Sequence, residues 1–154
     1  MVTEFGRFYE GLRKKHKLPT LDKLDEAFEV SIIEDQKFFL REVVRKMSDH
    51  LDFHIKLLEE VLQPDTNLGQ MREANAFSEL RKKEIYSLYK QLRYYYRLAH
   101  QALLEGSDRA CAEFINTLLA RDATLRKELI AVVKQLRHVW EKELVVHNDL
   151  AYLG

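Results

Sequence analysis

The sequence predicts an all-α fold, and three observations lead to that class. Apolar residues recur three, four or seven positions apart through most of the chain, which places them on one face of an α-helix. Only five glycines and two prolines interrupt the 154 residues, so the helices should be few and long. Hydrophobic residues make up 46% and charged residues 32%, which suits a folded core with solvated outer helix faces.

These features predict an antiparallel helical bundle of three long helices plus two or three short helices. Long helices joined by short turns favour that arrangement. The chain length favours a single helical-bundle domain over residues 1–154, large enough to form a sizeable core.

Two short helices are expected in the N-terminal part. The first precedes a basic run and Pro19, and its apolar residues have helical spacing: Phe5, Phe8, Tyr9 and Leu12. Thr20 is the expected N-cap of the second, because its hydroxyl can accept a hydrogen bond from a free backbone N–H. That second helix contains Leu21, Leu24 and Phe28.

The first long helix should follow Ser31-Ile32-Ile33-Glu34, which has the form of a capping box. It should run to about Leu62, because proline, asparagine and glycine then predict a turn over residues 64–69. The residues expected on its buried face are Leu40, Val44, Met47, Leu51, Leu58 and Leu62.

The second long helix should begin between Gln70 and Ser78 and end at Glu105, because Gly106 favours a helix stop. Its expected buried face consists of Ile85, Leu88, Leu92, Tyr95, Ala99 and Leu103.

A short helix and the third long helix are expected after Gly106. Ser107 is the expected cap of the short helix over residues 110–119. Asp122 is the expected cap of the long helix that runs to about His147. The expected buried face of that long helix consists of Leu129, Val133, Leu136, Trp140 and Leu144.

Composition limits the classes of function. The 25 basic and 25 acidic residues sum to zero, which argues against a surface devoted as a whole to nucleic acid or anionic lipid. The single cysteine, Cys111, excludes an internal disulfide and fits a reducing compartment. No apolar run is long enough for a membrane span, and the first residues lack the apolar block of a signal peptide. We therefore predict a cytoplasmic protein that does not bind a membrane.

The first long helix has more apolar surface than one neighbour would cover. Phe39, Phe53 and Leu57 are displaced by about 100° from its expected buried face. Either another helix of the same chain covers this side, or it is a surface for self-association or for a protein partner. Phe39, Phe53 and Leu57 are therefore the candidate partner-binding residues.

Residues 82–97 form the densest basic and aromatic stretch of the chain. At helical spacing, Lys83, Lys90, Tyr94 and Arg97 share an outward face. Such a face could contact phosphates and stack on a base, as in proteins that bind single-stranded nucleic acid. The alternative is a solvated face whose tyrosines border the core.

Histidines provide the candidates for metal binding. His50 and His54 are four residues apart, the spacing of a metal-binding pair on a helix, and His147 continues the apolar stripe of the third long helix. The chain has neither the Glu-x-x-His pairs of di-iron bundles nor a His-Glu-x-x-His zinc motif. The alternative is a structural role, and we assign no metal ligand and no cofactor.

Arg93 and His100 lie on nearly the same helix face, with six residues between them. An arginine followed by a histidine on one helix resembles the motif of HEPN-type ribonucleases, which are also helical bundles. That resemblance implies that His100 would act as a general acid or base and that Arg93 would stabilise charge on a phosphate.

The sequence contains no Gly-rich phosphate loop and no Gly-x-Ser-x-Gly motif. We therefore assign no catalytic residue and expect a non-enzymatic protein-interaction or assembly module, such as a small subunit of a larger intracellular complex. The alternative function is that of a helical bundle that contacts nucleic acid through Lys83, Lys90, Tyr94 and Arg97.

Overall fold

The computed structural model describes the backbone of residues 3–153 and the side chains of residues 3–145. Over that backbone it consists of helices without a strand, which confirms the predicted all-α class. The short helices are α1 (Glu4–His16), α2 (Leu21–Phe28) and α4 (Leu68–Asn75). The long helices are α3 (Phe39–Leu62), α5 (Glu79–Glu105) and α6 (Asp108–Leu153).

The long helices pack as an all-α bundle, α3 against α5 and α5 against α6. Arg81 of α5 donates a hydrogen bond to Gln135 of α6, and the Ala102 carbonyl lies 4.0 Å from the thiol of Cys111. A residue early in α5 thus contacts a residue late in α6, and a residue late in α5 contacts one early in α6. These two helices are therefore antiparallel, as predicted. None of the helices, over the described residues, is both long and apolar enough to cross a membrane.

Hydroxyl side chains fix the start of several helices. Thr20 Oγ1 accepts from the Lys23 amide at the start of α2, and Ser107 Oγ accepts from the Ala110 amide at the start of α6. Both predicted caps are confirmed. Ser78 Oγ accepts a hydrogen bond from the backbone N–H of Arg81, so Ser78 caps α5, which begins at Glu79. Helix α4 ends before this cap and is therefore a separate short helix.

The capping box predicted at Ser31 is wrong. Val30–Ile32 forms a single turn of 3₁₀-helix, and α3 begins only at Phe39. The carboxylate of Asp35 accepts hydrogen bonds from the backbone N–H groups of Lys37 and Phe38. This local turn satisfies the backbone just before α3 and takes the place of the predicted cap.

The break predicted between residues 119 and 122 is absent, and α6 is one continuous helix of 46 residues. Neither glycine nor proline occurs between Ser107 and Gly154, so nothing in the sequence forces the helix to stop. An aspartate inside a helix costs only a few tenths of a kcal/mol, about 0.7 at most, so Asp122 is tolerated there. The buried side runs through the expected break at Leu118, Leu125, Leu129 and Val132.

The chain divides into two compact units. The first contains the residues up to Phe53 together with Leu92–Asp122, and its core includes buried side chains of α1, α2 and the first part of α3. The second contains His54–Gln91 and the residues from Ala123 onward, so it includes all of α4. The single domain over residues 1–154 stays a prediction.

Candidate interaction surface

Phe39 lies in the core and is not part of an exposed surface. Only 1% of it is exposed, and its ring centroid lies 5.1 Å from that of Phe5 and 5.8 Å from that of Tyr9. Helix α1 covers this side of α3, so the second apolar side has a neighbour within the same chain here. The prediction that Phe39 binds a partner is therefore wrong.

The other two candidates on α3 differ from Phe39. Phe53 is 67% exposed, and Leu57 is half-buried. The exposed Phe53 ring would gain by burial against another protein, because aromatic side chains bury a large apolar area. Partner binding by Phe53 and Leu57 stays a prediction.

The apolar stripe predicted to be buried on α6 lies mostly at the surface. Of its five residues only Leu129 is buried, Leu136 is half-buried, and Val133, Trp140 and Leu144 are exposed. The predicted burial of those three side chains is wrong. The face that is buried in the second unit is rotated around the helix and consists of Leu125, Leu129, Val132 and Val139.

The exposed side chains form a regular row on α6, which we call the α6 seam. Its positions are three and four residues apart in alternation, the spacing of the contact positions of a coiled coil. The four apolar members are between 40% and 64% exposed, and the arginine in the middle is also exposed. The α6 seam consists of Ile130, Val133, Arg137, Trp140 and Leu144.

Polar contacts hold the centre of the α6 seam in place. Trp140 Nε1 donates to a carboxylate oxygen of Glu73 at 3.0 Å, and Arg72 Nε contacts the Glu143 carboxylate at 2.5 Å. Both contacts attach α4 to α6 within the second unit. Arg137 forms an ion pair with Glu141 at 3.1 Å on the same helix. These contacts orient the Trp140 indole and the Arg137 guanidinium within the α6 seam.

A cationic groove of about 600 Å³ lies between α4 and α6, next to the α6 seam, with which it shares Arg137. Arg72, Lys134, Arg137, His138 and Lys142 contribute the basic groups that line it. Glutamates that neighbour the groove pair with both arginines, which lowers its positive charge. Sequence patterns did not indicate this groove, because it depends on α4 meeting α6 across about 60 residues of chain.

The basic face predicted on α5 is exposed. Lys83, Lys90, Tyr94 and Arg97 are each exposed, in agreement with their expected orientation. In the second unit the Lys90 ammonium lies 5.1 Å from the ring centroid of Tyr86. Their binding to nucleic acid stays a prediction.

The histidine candidates occupy different surroundings. His50, His54 and His100 are half-buried, and the His50 ring lies 5.3 Å from that of Phe28. His147 lies outside the residues whose side chains are described. Among the described residues, no three His, Cys, Asp or Glu side chains lie close enough to hold a metal ion.

The residues that resemble the HEPN motif surround one tyrosine. The His100 ring lies 4.3 Å from the Tyr96 ring, and the Arg93 guanidinium lies 5.9 Å from the same ring. His100 Nδ1 is 3.3 Å from a guanidinium nitrogen of Arg97, a residue that is not part of the resemblance. The arrangement is an aromatic and cationic cluster, and catalysis by it is untested.

Comparisons with protein-family models, with curated proteins and with solved structures found no match to this chain.

Proposed function

We propose that this protein is a non-enzymatic interaction module that docks another α-helix on the α6 seam, as a subunit of a larger assembly. The observation that carries the proposal is the row of five exposed positions at alternating spacings of three and four, four of which are apolar. A single exposed apolar residue needs no explanation, but a regular row of them marks a binding surface.

The chemistry of the α6 seam suits a helical partner. A second helix with apolar residues at the same spacing would insert its side chains between Ile130, Val133 and Leu144. Burial of each exposed aliphatic side chain would contribute up to about 1.5–3 kcal/mol before the costs of association. Trp140 supplies the aromatic anchor that interfaces often use as their strongest contact.

The sequence-derived candidates Phe53 and Leu57 stay in the proposal as a separate and smaller surface on α3. We also place the module in the cytoplasm, because its single cysteine, Cys111, excludes an internal disulfide and fits a reducing compartment. The Cys111 thiol is buried. Buried thiols of this kind pack as small apolar side chains.

Capture experiments with a matched control test the proposal. Val133→Asp places a charge inside the seam, and Leu104→Asp makes the same kind of change at an exposed leucine of the first unit. The proposal predicts that Val133→Asp loses the partner proteins retained by wild type in high salt, or its self-association, whereas Leu104→Asp keeps them. Equal retention by both variants, with unchanged helicity, would contradict it.

The second candidate function is nucleic-acid binding by the exposed face of α5. Its support is that Lys83, Lys90, Tyr94 and Arg97 are all exposed on one helix. This candidate predicts that the affinity for single-stranded RNA or DNA decreases steeply as the salt concentration rises, because phosphate contacts release counterions. A Lys83→Gln/Lys90→Gln variant should then bind less tightly, and absence of binding at about 50 mM salt would remove this candidate.

A further inference from the structure

We infer that the helix docked on the α6 seam is the same seam of a second copy of this chain, running in the opposite direction. This inference rests on the proposed function and names the partner of that same surface. Three features of the seam support it: the order of its residues, the charges that flank it and the position of its one arginine.

The order of the residues fits antiparallel pairing. Residues 130, 137 and 144 occupy one type of seam position and residues 133 and 140 the other. In an antiparallel pair of helices, one type lies opposite the other, and the register that places Arg137 opposite Trp140 of the second copy also places Val133 opposite Leu144. A two-fold axis makes every such contact occur twice.

Arg137 is the one polar residue in the seam, and the antiparallel register gives it a suitable neighbour. In that register it faces Trp140 of the second copy, where a guanidinium over an indole ring is a favourable cation–π contact. In a parallel pair Arg137 would face Arg137 of the second copy, and like charges would oppose each other in a partly dry interface. The arginine therefore selects the antiparallel direction.

The charges beside the seam are complementary under the same symmetry. Lys134 and Glu141 each follow a seam residue directly, so both lie on the same flank of α6. The antiparallel register brings Lys134 of each copy next to Glu141 of the other. Lys134 forms no ion pair with the side chains that the structure describes, so its ammonium is available for this contact. In the described part of the chain, Glu141 forms ion pairs only with Arg137 and His138 of its own helix.

The described part of the seam is about 21 Å long, from residue 130 to residue 144 at 1.5 Å per residue. Two helix segments of this length, one from each copy of α6, form a modest contact. We therefore expect a dimer that dissociates in the micromolar range and weakens as salt screens the flanking charges.

Charge reversal tests the register with the full chain. Lys134→Glu would place two acidic groups at each flanking contact, and Glu141→Lys would place two basic groups there. Each single variant should raise the dimer dissociation constant about tenfold, and the double variant should restore it, because the opposite charges are only exchanged. Lys142→Glu, at an exposed position off the seam on the same helix, should leave the constant unchanged. Light scattering over a concentration series, at low and high salt, measures each value.

The outcomes separate this inference from the proposed function. Wild type that stays monomeric at every concentration overturns the second copy as partner, and capture of another protein by the seam then remains open to the test with Val133→Asp. Dimers lost in Val133→Asp but not restored in the double charge variant overturn the antiparallel register while the seam stands as the docking surface. Dimers that persist in Val133→Asp contradict both.

Discussion

The guanidinium of Arg41 donates two hydrogen bonds to the carbonyl oxygen of Gly106, from Nε at 3.0 Å and from a terminal nitrogen at 2.6 Å. Arg41 lies in the first turn of α3, and Gly106 lies in the turn between α5 and α6. Gly106 has a φ of +72°, a conformation that L-residues with a side chain adopt only with strain. Within the first unit, the two hydrogen bonds therefore attach the turn between α5 and α6 to the start of α3, which is distant in sequence.

Gly106→Ala should destabilise the protein by about 1–2 kcal/mol, the cost of a left-handed conformation for an L-residue. The added methyl would also lie 3.0 Å from the Arg41 guanidinium, which would have to move. Urea unfolding measures the change. Gly11→Ala is the matched control, because Gly11 lies inside α1 with open space around it, and it should stabilise by about 0.5–1 kcal/mol. If both substitutions stabilise, the strain at Gly106 is refuted.

Tyr9→Phe should cost about 1 kcal/mol near neutral pH. The Tyr9 hydroxyl donates to the carbonyl oxygen of Pro19 at 2.6 Å, and the variant leaves that acceptor without its donor. Tyr94→Phe, at an exposed tyrosine, should change the free energy of unfolding by less than about 0.5 kcal/mol. Equal effects would show that the buried bond contributes nothing.

The difference in free energy of unfolding between wild type and Tyr9→Phe should become smaller at alkaline pH. Burial raises the pKa of Tyr9 from 10.0 to about 12, so the folded protein keeps this proton where the unfolded chain has lost it. The contribution of Tyr9 is thus complete below about pH 10 and is lost as the pH rises toward about 12. Urea unfolding of both proteins at about pH 8 and about pH 11 measures this. A constant difference between the two proteins would contradict the effect of burial.

Phe39 and Phe53 should respond differently to truncation. Phe39→Ala removes a ring packed against α1 and should cost about 3–5 kcal/mol. Phe53→Ala should change stability by less than about 0.5 kcal/mol, because most of that ring is already in water. Thermal unfolding of the two variants compares them directly. A small loss for Phe39→Ala would mean that α1 does not cover this side of α3.

The Cys111 thiol should resist alkylation in the folded protein. The thiol has no exposed surface. Burial, and to a smaller extent the nearby Asp108 carboxylate, raises the pKa of Cys111. Little of the reactive thiolate is therefore present at neutral pH. Iodoacetamide should label Cys111 only in denaturant, as mass spectrometry would show. Rapid labelling of one thiol per folded chain would contradict the buried position.

The buried faces of α3 and α5 could be predicted from sequence, whereas that of α6 could not. On α5, Ile85, Leu88, Leu92 and Ala99 are buried as expected, because this helix has one clear apolar stripe. On α6 two stripes have helical spacing, one through Val132 and Val139 and one through Val133 and Trp140. Periodicity shows that both are apolar, but which one meets the neighbouring helices depends on contacts distant in sequence.

The candidate surface shows the same limit. Phe39 and Phe53 occupy the same apolar side of α3 by spacing, yet Phe5 covers one and the other is largely exposed. The difference in exposure between Phe39 and Phe53 depends on where α1 packs against α3, and the local sequence around either residue does not indicate this. The exposure of Lys90 and Arg97 could be predicted, because charged residues opposite an apolar stripe almost always face water.

Sedimentation velocity over a concentration series tests most directly whether the α6 seam docks a second copy of this chain. Wild type should move from the monomer mass toward twice that mass as its concentration rises, and Leu104→Asp should behave in the same way. Val133→Asp should remain a monomer with unchanged helicity. Wild type and Val133→Asp with the same mass at every concentration would contradict the assignment of this surface to self-association.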